Sequence, residues 1–288
     1  MFRALRQTFL SRFVRTFARA KGVRLADFRP AEDFDAAAQA ELGPALYTIF
    51  CHSYGAPSAE VVLDEIVFKA GGYLGLYHDL EGRLVGFSTI KAESIRAGTR
   101  ACTSLAGSAY FVPGQRGGQA AGRLGLAFAL LHKLRQPLRP LVWVFEMLSP
   151  ISYLRGLEVF AQFYPSPTLS TPPLLTKVAA ASIEARGLST RPGHPLVVFY
   201  PDPVEHERTL PTRLQLDSPE VRFYLAQNPR YSEGDILVGL APVTLLNLLA
   251  SATATTSRWL RAALAWREGA ALPTASPTTP ALTRQTGE

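Results

Sequence analysis

The chain has 288 residues, of which 47% are hydrophobic and only 18% are charged. This balance excludes an intrinsically disordered protein and allows a sizeable buried core. The two cysteines are too few for a disulfide framework, and the five histidines show no metal-type spacing. We therefore expect reduced thiols and no metal site.

The net charge of +7 comes from one end of the chain. Residues 1–24 hold seven Lys and Arg residues and no acid, so the remainder of the chain carries no net charge. A domain that binds nucleic acid needs a basic face on the folded domain itself. The charge distribution therefore argues against nucleic acid as a partner.

Residues 2–20 are predicted to form a basic amphipathic helix, because apolar residues at spacings of three and four share one face. They are Phe2, Leu5, Phe9, Phe13 and Phe17. Such a helix can lie on an anionic membrane surface. The same composition is typical of a mitochondrial transit peptide, and the phenylalanines could also pack on the protein's own surface. We expect a cytoplasmic protein with peripheral membrane association, or a matrix protein if the segment is a transit peptide.

The elements that follow alternate between helical and strand patterns, which predicts a mixed α/β sheet. Gly107 weakens its strand and is expected to mark a bulge. Leu134 is placed on the buried side of its helix. The predicted elements are a helical region from Pro44 to about Ala70 broken near Gly55–Ser58, strands at Tyr73–His78, Arg83–Lys91 and 101–112, a helix at Gly117–Arg135, a strand at Leu141–Met147, a helix at Ile151–Phe163 and a strand at Pro195–Tyr200.

The C-terminal region is less regular. Ile236–Ala254 has no charge over nineteen residues, but Pro242 and Asn247 favour a buried or interfacial helix over a membrane span. Arginines alternate with Trp259 and Trp266 beyond it, a composition typical of lipid headgroup depth. Residues 269–288 are rich in Pro, Thr and Ala and are expected to be disordered.

The segment Tyr110–Leu130 carries the clearest chemical signal. A strand runs into a glycine-rich turn, and that turn opens a helix. Glycines allow backbone amides to approach an anion closely, and the first turn of a helix adds unpaired N–H groups. A phosphate is the natural ligand, yet the patterns of a P-loop and of a dinucleotide-binding turn are both missing.

The run Gln115-Arg-Gly-Gly118-Gln-Ala120 matches the pattern [Q/R]-x-x-G-x-[G/A] and resembles the acyl-CoA signature of the GNAT superfamily. The resemblance implies a mixed, mostly antiparallel sheet flanked by helices, and acetyl-CoA or another acyl-CoA as co-substrate. Loop amides would hold the pyrophosphate, and the preceding strand end would pair with the pantetheine arm. The implied cofactor-binding residues are Phe111, Val112, Gln115, Arg116, Gly117, Gly118, Gln119, Ala120 and Ser149.

The resemblance covers a little over half of the chain and suggests a division into four parts. Residues 1–24 form the basic helix and 25–205 the GNAT-like domain. Residues 206–268 are expected to form a helical extension, and 269–288 the disordered tail.

Catalytic roles are assigned to three residues. Glu146 is a carboxylate in an apolar strand, so burial would suit it as a base, although an ordinary salt bridge is an equal alternative. Tyr153 is placed in the helix whose tyrosine often protonates the CoA sulfur in the resembled family, and Tyr164 is the competitor. Ser149 could cap that helix or bond the pantetheine amide. Residues 101–112 hold no acid, although many GNAT members carry a glutamate there.

These features predict an N-acyltransferase that moves an acetyl or longer acyl group to an amine, small or lipid-like. No residue pattern identifies the acceptor. An autoinducer-type synthase that uses an acyl-carrier protein shares the fold and is the second reading. A GNAT-like binding module without catalysis is the third, and the missing strand acid is its main support.

Overall fold

The computed structural model describes residues 22–53, 58–115, 118–199 and 218–253. The predicted amphipathic helix at 2–20 and the predicted tail at 269–288 lie outside these residues. The strands are β1 (Arg24–Pro30), β2 (Gly72–His78), β3 (Leu84–Ala97), β4 (Arg100–Phe111), β5 (Leu141–Met147), β6 (Ser189–Arg191), β7 (His194–Phe199) and β8 (Asp235–Pro242), and the helices are α1 (Ala36–Cys51), α2 (Ala59–Val62), α3 (Gly118–Arg135), α4 (Pro150–Val159), α5 (Pro173–Ala185), α6 (Pro219–Gln227) and α7 (245–253).

All eight strands form one sheet in the order β1-β2-β3-β4-β5-β8-β7-β6. Every neighbouring pair is antiparallel except β4 and β5, which run parallel. A parallel pair needs a crossover connection, and α3 supplies it between these two strands. The predicted fold class, a mixed and mostly antiparallel sheet flanked by helices, is confirmed.

The helices cover both faces of the sheet. On one face, called here the α1/α5 face, α1 packs against Phe87 and Tyr110, and α5 packs against Cys102 and Val144. On the other, the α3 face, α3 packs against Leu105 and the neighbouring strands, and α4 packs beside it with α6. Because side chains alternate along a strand, the inner strands β2, β3, β4, β5, β8 and β7 contribute to both cores.

Most predicted elements are found within a few residues of their expected bounds. The strand Leu141–Met147 has the predicted limits, whereas the helix predicted to reach Phe163 ends at Val159. Gly107 is not a bulge, because its register with β3 is regular. Leu134 is not buried either: 68% of its side chain is exposed at the end of α3.

The region beyond residue 205 differs most from the sequence-based expectation. Residues 235–242 form β8, an inner strand that pairs with β5 through residues 237–242 and with β7 through residues 235–237. Of the described residues that follow it, 245–253 are helical. A single helix over Ile236–Ala254 is therefore wrong. The domain boundary at residue 205 is wrong as well, since it would cut β8 out of the sheet. The apolar run was ambiguous because a buried strand and a buried helix share that composition.

Among the described residues, no helix combines the length and the hydropathy that a membrane crossing requires.

The β2–β3 turn depends on one buried carboxylate. Asp79 is 3% exposed and accepts hydrogen bonds from the Arg83 backbone N–H (2.8 Å) and Nε (2.7 Å). Burial opposes ionisation, but these bonds and the Arg83 charge outweigh it and hold the pKa of the Asp79 carboxyl below its usual value. The ionised carboxylate therefore stabilises the fold above the pKa of the unfolded state.

We predict that Asp79→Asn lowers the free energy of unfolding at pH 7. The deficit relative to wild type should shrink as the pH falls below about 4, because the wild-type carboxyl then takes up its proton. Urea unfolding at several pH values measures both effects. A deficit that is independent of pH would contradict this role of the charge.

Candidate active site

The sheet opens between β4 and β5. The two strands pair only from Thr103–Leu105 to Leu141–Trp143. Beyond that point β4 stays paired with β3 as far as Phe111, and β5 stays paired with β8 as far as Met147. Each strand thus keeps its outer partner while the inner edges diverge. We call the resulting opening the split.

The backbone of β4 presents unpaired groups to the split. The Thr103 N–H donates to Pro140 O on the β5 side, whereas the Val112 N–H donates to Val85 O on the β3 side. Because backbone direction alternates along a strand, the N–H and C=O groups of Gly107, Ala109 and Phe111 point into the split. Such an edge can pair with another extended chain.

A cavity of about 220 Å³ lies between β4, β5 and α3, where the split begins. Its side chains carry no charge, and several are small. A Cβ on Gly122 would have no heavy atom within 4 Å, so this position faces open space. The lining consists of Ser88, Thr89, Ile90, Gly107, Ser108, Ala109, Ala121, Gly122, Gly125, Trp143 and Phe145.

The N-terminus of α3 lies where β4 leaves the sheet. β4 ends at Phe111 and α3 begins at Gly118, with no acid in its first turn. The first N–H groups of a helix have no partner within it, and the helix dipole places partial positive charge there. This end of the split is therefore suited to an anion.

The two features together describe the kind of ligand that fits. An uncharged channel edged by unpaired amides suits an extended, uncharged chain with amide groups of its own. The helix terminus at its end suits an anionic group attached to that chain. A pantetheine arm that ends in a pyrophosphate combines both.

The structure places the predicted cofactor-binding residues along this path. Phe111 and Val112 end β4, and the Gln115 N–H closes a turn onto Val112 O. Gly118 and Gln119 open α3, and Ala120 is fully buried in the first turn. Arg116 and Gly117 lie outside the described residues. Binding itself stays a prediction for all of them.

Glu146 lies beside the split on the α1/α5 face. It forms an ion pair with Arg186, the residue that follows α5, and both side chains are about one-quarter exposed. Tyr110 on the opposite wall interacts electrostatically with this pair. Burial raises the pKa of the Tyr110 hydroxyl to about 12, against a hydrogen bond with Ser108 that lowers it. The three residues form a polar group where β4 and β5 diverge.

The two predicted proton donors lie elsewhere. Tyr153 is fully buried in the α4–α6 core, and its hydroxyl donates to Pro165 O at 2.9 Å. Tyr164 pairs through its backbone with Leu240, so β8 separates it from β5. This geometry does not support a general-acid role for Tyr153 or for Tyr164, because neither lines the split.

Ser149 is the N-cap of α4. Its hydroxyl accepts the Ser152 N–H at 3.2 Å, and Ser152 Oγ accepts the Ser149 N–H, which forms a capping box. The structure thus shows the capping function that was one of the two readings for this serine. A contact with the pantetheine amide stays a prediction.

Sequence reasoning gave no role to Tyr110 or Arg186. Tyr110 lies inside the segment that carries the GNAT-like pattern, and only strand alternation could have placed it opposite Glu146. Arg186 has no motif around it, and 40 residues separate it from Glu146. Their proximity follows from the sheet order, which the sequence does not reveal.

We predict that Tyr153→Phe destabilises the protein without affecting the site. Removing the hydroxyl leaves Pro165 O without its donor, at a cost of about 1–3 kcal/mol. Urea unfolding measures this loss, and CoA titration should show unchanged affinity. A large fall in turnover with unchanged stability would instead restore the catalytic role.

The mixed, mostly antiparallel sheet of the structure is consistent with a GNAT-like fold. No protein-family model and no curated protein matches the chain. Among solved structures it is similar to a GCN5-related N-acetyltransferase from Kribbella flavida, with 15% identity over 42% of this chain and 71% of the other, and a TM-score of 0.28. It is also similar to a histone acetyltransferase HPA2 and related acetyltransferase from Corynebacterium glutamicum, with 15% identity over 50% of this chain and 91% of the other, and a TM-score of 0.26. Likeness at this level carries no argument about activity.

Proposed function

We propose that the protein is an acyl-CoA-dependent acyltransferase that transfers an acetyl or longer acyl group to an amine. The observation that carries the proposal is the split between β4 and β5, which ends at the N-terminus of α3. Its uncharged walls and unpaired amides suit the pantetheine arm, and the helix terminus suits the pyrophosphate.

In this proposal the thioester lies beside the polar group formed by Glu146, Arg186 and Tyr110, where β4 and β5 diverge. The acceptor amine attacks the thioester carbon, the C–S bond breaks, and the amine nitrogen loses a proton. Glu146 is the base in this proposal, directly or through a water molecule. The departing thiolate takes up a proton delivered through the same carboxyl group or from solvent.

Two substitutions at Gly122 test the donor site. Gly122→Leu should fill the cavity and lower CoA affinity at least about tenfold, since the side chain would occupy the space of the arm. Gly122→Ala adds one methyl group in open space and should leave affinity nearly unchanged. Isothermal titration with CoA measures both.

Comparison of Gly122→Leu with Gly122→Ala also separates an effect on CoA binding from an effect on folding. Both substitutions replace a helical glycine, so each should raise the free energy of unfolding by up to about 1 kcal/mol. A reduced CoA affinity in Gly122→Leu therefore cannot be caused by unfolding. Equal CoA affinity in both variants and the wild type would remove the split as the donor site.

Glu146→Gln tests the base. General acid–base catalysis typically contributes about 10²–10⁴-fold to the rate, so kcat should fall by that order. CoA affinity should stay within a factor of about two, because Glu146 lies on the α1/α5 face and the cavity is lined from elsewhere. Arg186→Gln is the control that removes the ion pair and keeps the carboxylate. Unchanged kcat in Glu146→Gln would leave water or the substrate itself as the base.

One observation favours a binding module without catalysis. β4 carries no acid, and Glu146, the carboxylate beside the split, is already engaged by Arg186. A module of this kind would bind CoA and lose that affinity in Gly122→Leu, yet show no turnover with any amine. The same titrations therefore separate the two functions.

The membrane role predicted for residues 1–24 stays a proposal. Its helix lies outside the described residues, and Arg24 already belongs to β1. A deletion that tests it should end at residue 21, because Val23 is buried in the core.

A further inference from the structure

Five large leucines are exposed at the end of the sheet that lies opposite the mouth of the split. α3 ends at Arg135 and leads into the start of β5, while β8 ends at Pro242, which pairs with Val142. The end of α3 and the start of α7 therefore meet at one end of the sheet. The leucines and their exposed fractions are Leu134 (68%), Leu138 (92%), Leu245 (73%), Leu246 (55%) and Leu249 (57%). We call this surface the leucine end.

Within residues 22–53, 58–115, 118–199 and 218–253, these five side chains stay exposed. On the same two segments, Leu131 and Leu248 pack against the α3-face core. The five exposed leucines take no part in that packing, although Leu134 lies one helical turn after Leu131. Large apolar side chains gathered at one exposed end of a fold indicate a binding surface rather than a folding core.

The same end is strongly basic. Within segments 94–102, 132–142, 173–177 and 242–250 there is no Asp or Glu. Across the described part of the chain, none of the cations in these segments takes part in an ion pair. The exposed cations among them are Arg96, Arg100, Arg135 and Lys177. Lys133 and Arg139 are partly buried, and they donate hydrogen bonds to Arg139 O and to Cys102 O, respectively.

We propose that the leucine end docks on an anionic lipid bilayer. The leucines would enter the boundary between headgroups and acyl chains, and the cations would contact the anionic headgroups. A nucleic acid would match the cations but would leave the leucines in water. An acidic carrier protein would have to deliver its arm to the mouth of the split, which lies at the other end.

The proposal fixes the orientation of the bound protein. β5 has seven residues, so roughly 20 Å of strand separate its two ends. Docking through the leucine end directs the mouth of the split toward water. The bilayer is then an anchor, and both donor and acceptor reach the site from the aqueous side.

Paired charge variants of the full-length chain test the electrostatic part. The probe is vesicles of phosphatidylcholine with about one-third phosphatidylglycerol, at low salt. Arg96→Gln with Arg135→Gln should weaken binding about fivefold for each charge removed. Arg155→Gln with Arg222→Gln removes two exposed cations near α4 and α6 and should have little effect. Equal weakening in both pairs would overturn the proposal, because it would show that only net charge matters.

Leucine variants test the apolar part. Leu134→Gln with Leu138→Gln should weaken vesicle binding at least about tenfold, whereas Leu80→Gln, at an equally exposed turn residue, should not. Residues 1–24 are present in every variant, so they cannot produce the difference. Vesicle binding by the Leu134→Gln, Leu138→Gln variant that equals that of the wild type would overturn the proposal. The proposal would also be overturned if the wild-type protein were a dimer in analytical ultracentrifugation and this variant were a monomer. CoA affinity should be the same with and without vesicles, so loss of CoA binding alone would count against the proposed function and not against docking.

Discussion

The divergence of β4 and β5 after Leu105 and Trp143 is the constraint on which the rest of the site depends. The Trp143 ring lies so close to α3 that a Cβ on Gly125 would be 2.5 Å from it. It also stacks on Phe145, with ring centroids 5.4 Å apart and planes 10° apart. This aromatic pair forms one wall of the cavity, and the small residues Gly107 and Ala109 leave room opposite.

An open edge inside a sheet normally costs stability, because unpaired backbone groups are exposed there. Here β5 is held by six consecutive residue pairs with β8, which returns from a distant part of the chain. β4 is held as firmly by β3, along the whole length of the strand. The split can therefore stay open without a ligand, since neither wall depends on the other beyond Leu105. β8 is in this sense part of the site, although it contributes none of the cavity lining.

The sheet also separates the two sides of the proposed reaction. The lining residues Gly107, Ala109 and Gly122 lie toward α3, where the CoA arm would run. Glu146 and Tyr110 lie on the opposite face, together with Arg186. An acceptor that approaches from the α1/α5 face would meet the thioester through the opening in the sheet. Under the proposed function, binding would take place on one face and proton transfer on the other.

Local patterns predicted much of this fold from the sequence. The hairpin at Tyr73–Lys91, the strand Leu141–Met147 and the strand–turn–helix after Tyr110 each depend on periodicity or on turn residues within a short window. β8 could not be recognised, because its seven uncharged residues 236–242 run on into an apolar helix with no break in composition. The position of Tyr153 after β5 suggested the cleft, whereas its hydroxyl lies in a core, because whether a hydroxyl faces a cleft or a core depends on long-range packing. The ion pair of Glu146 with Arg186 could not be predicted for the same reason.

Hydrogen exchange of individual backbone amides with and without CoA tests the central claim most directly. The amides of Gly107, Ala109 and Phe111 point into the split and have no strand partner there, whereas those of Ser108 and Tyr110 point toward β3. If the pantetheine arm binds along β4, CoA should slow exchange at the first three and at the start of α3, and change the other two little. CoA that binds with no added protection at Gly107, Ala109 and Phe111, or with protection confined to another part of the chain, would contradict the account.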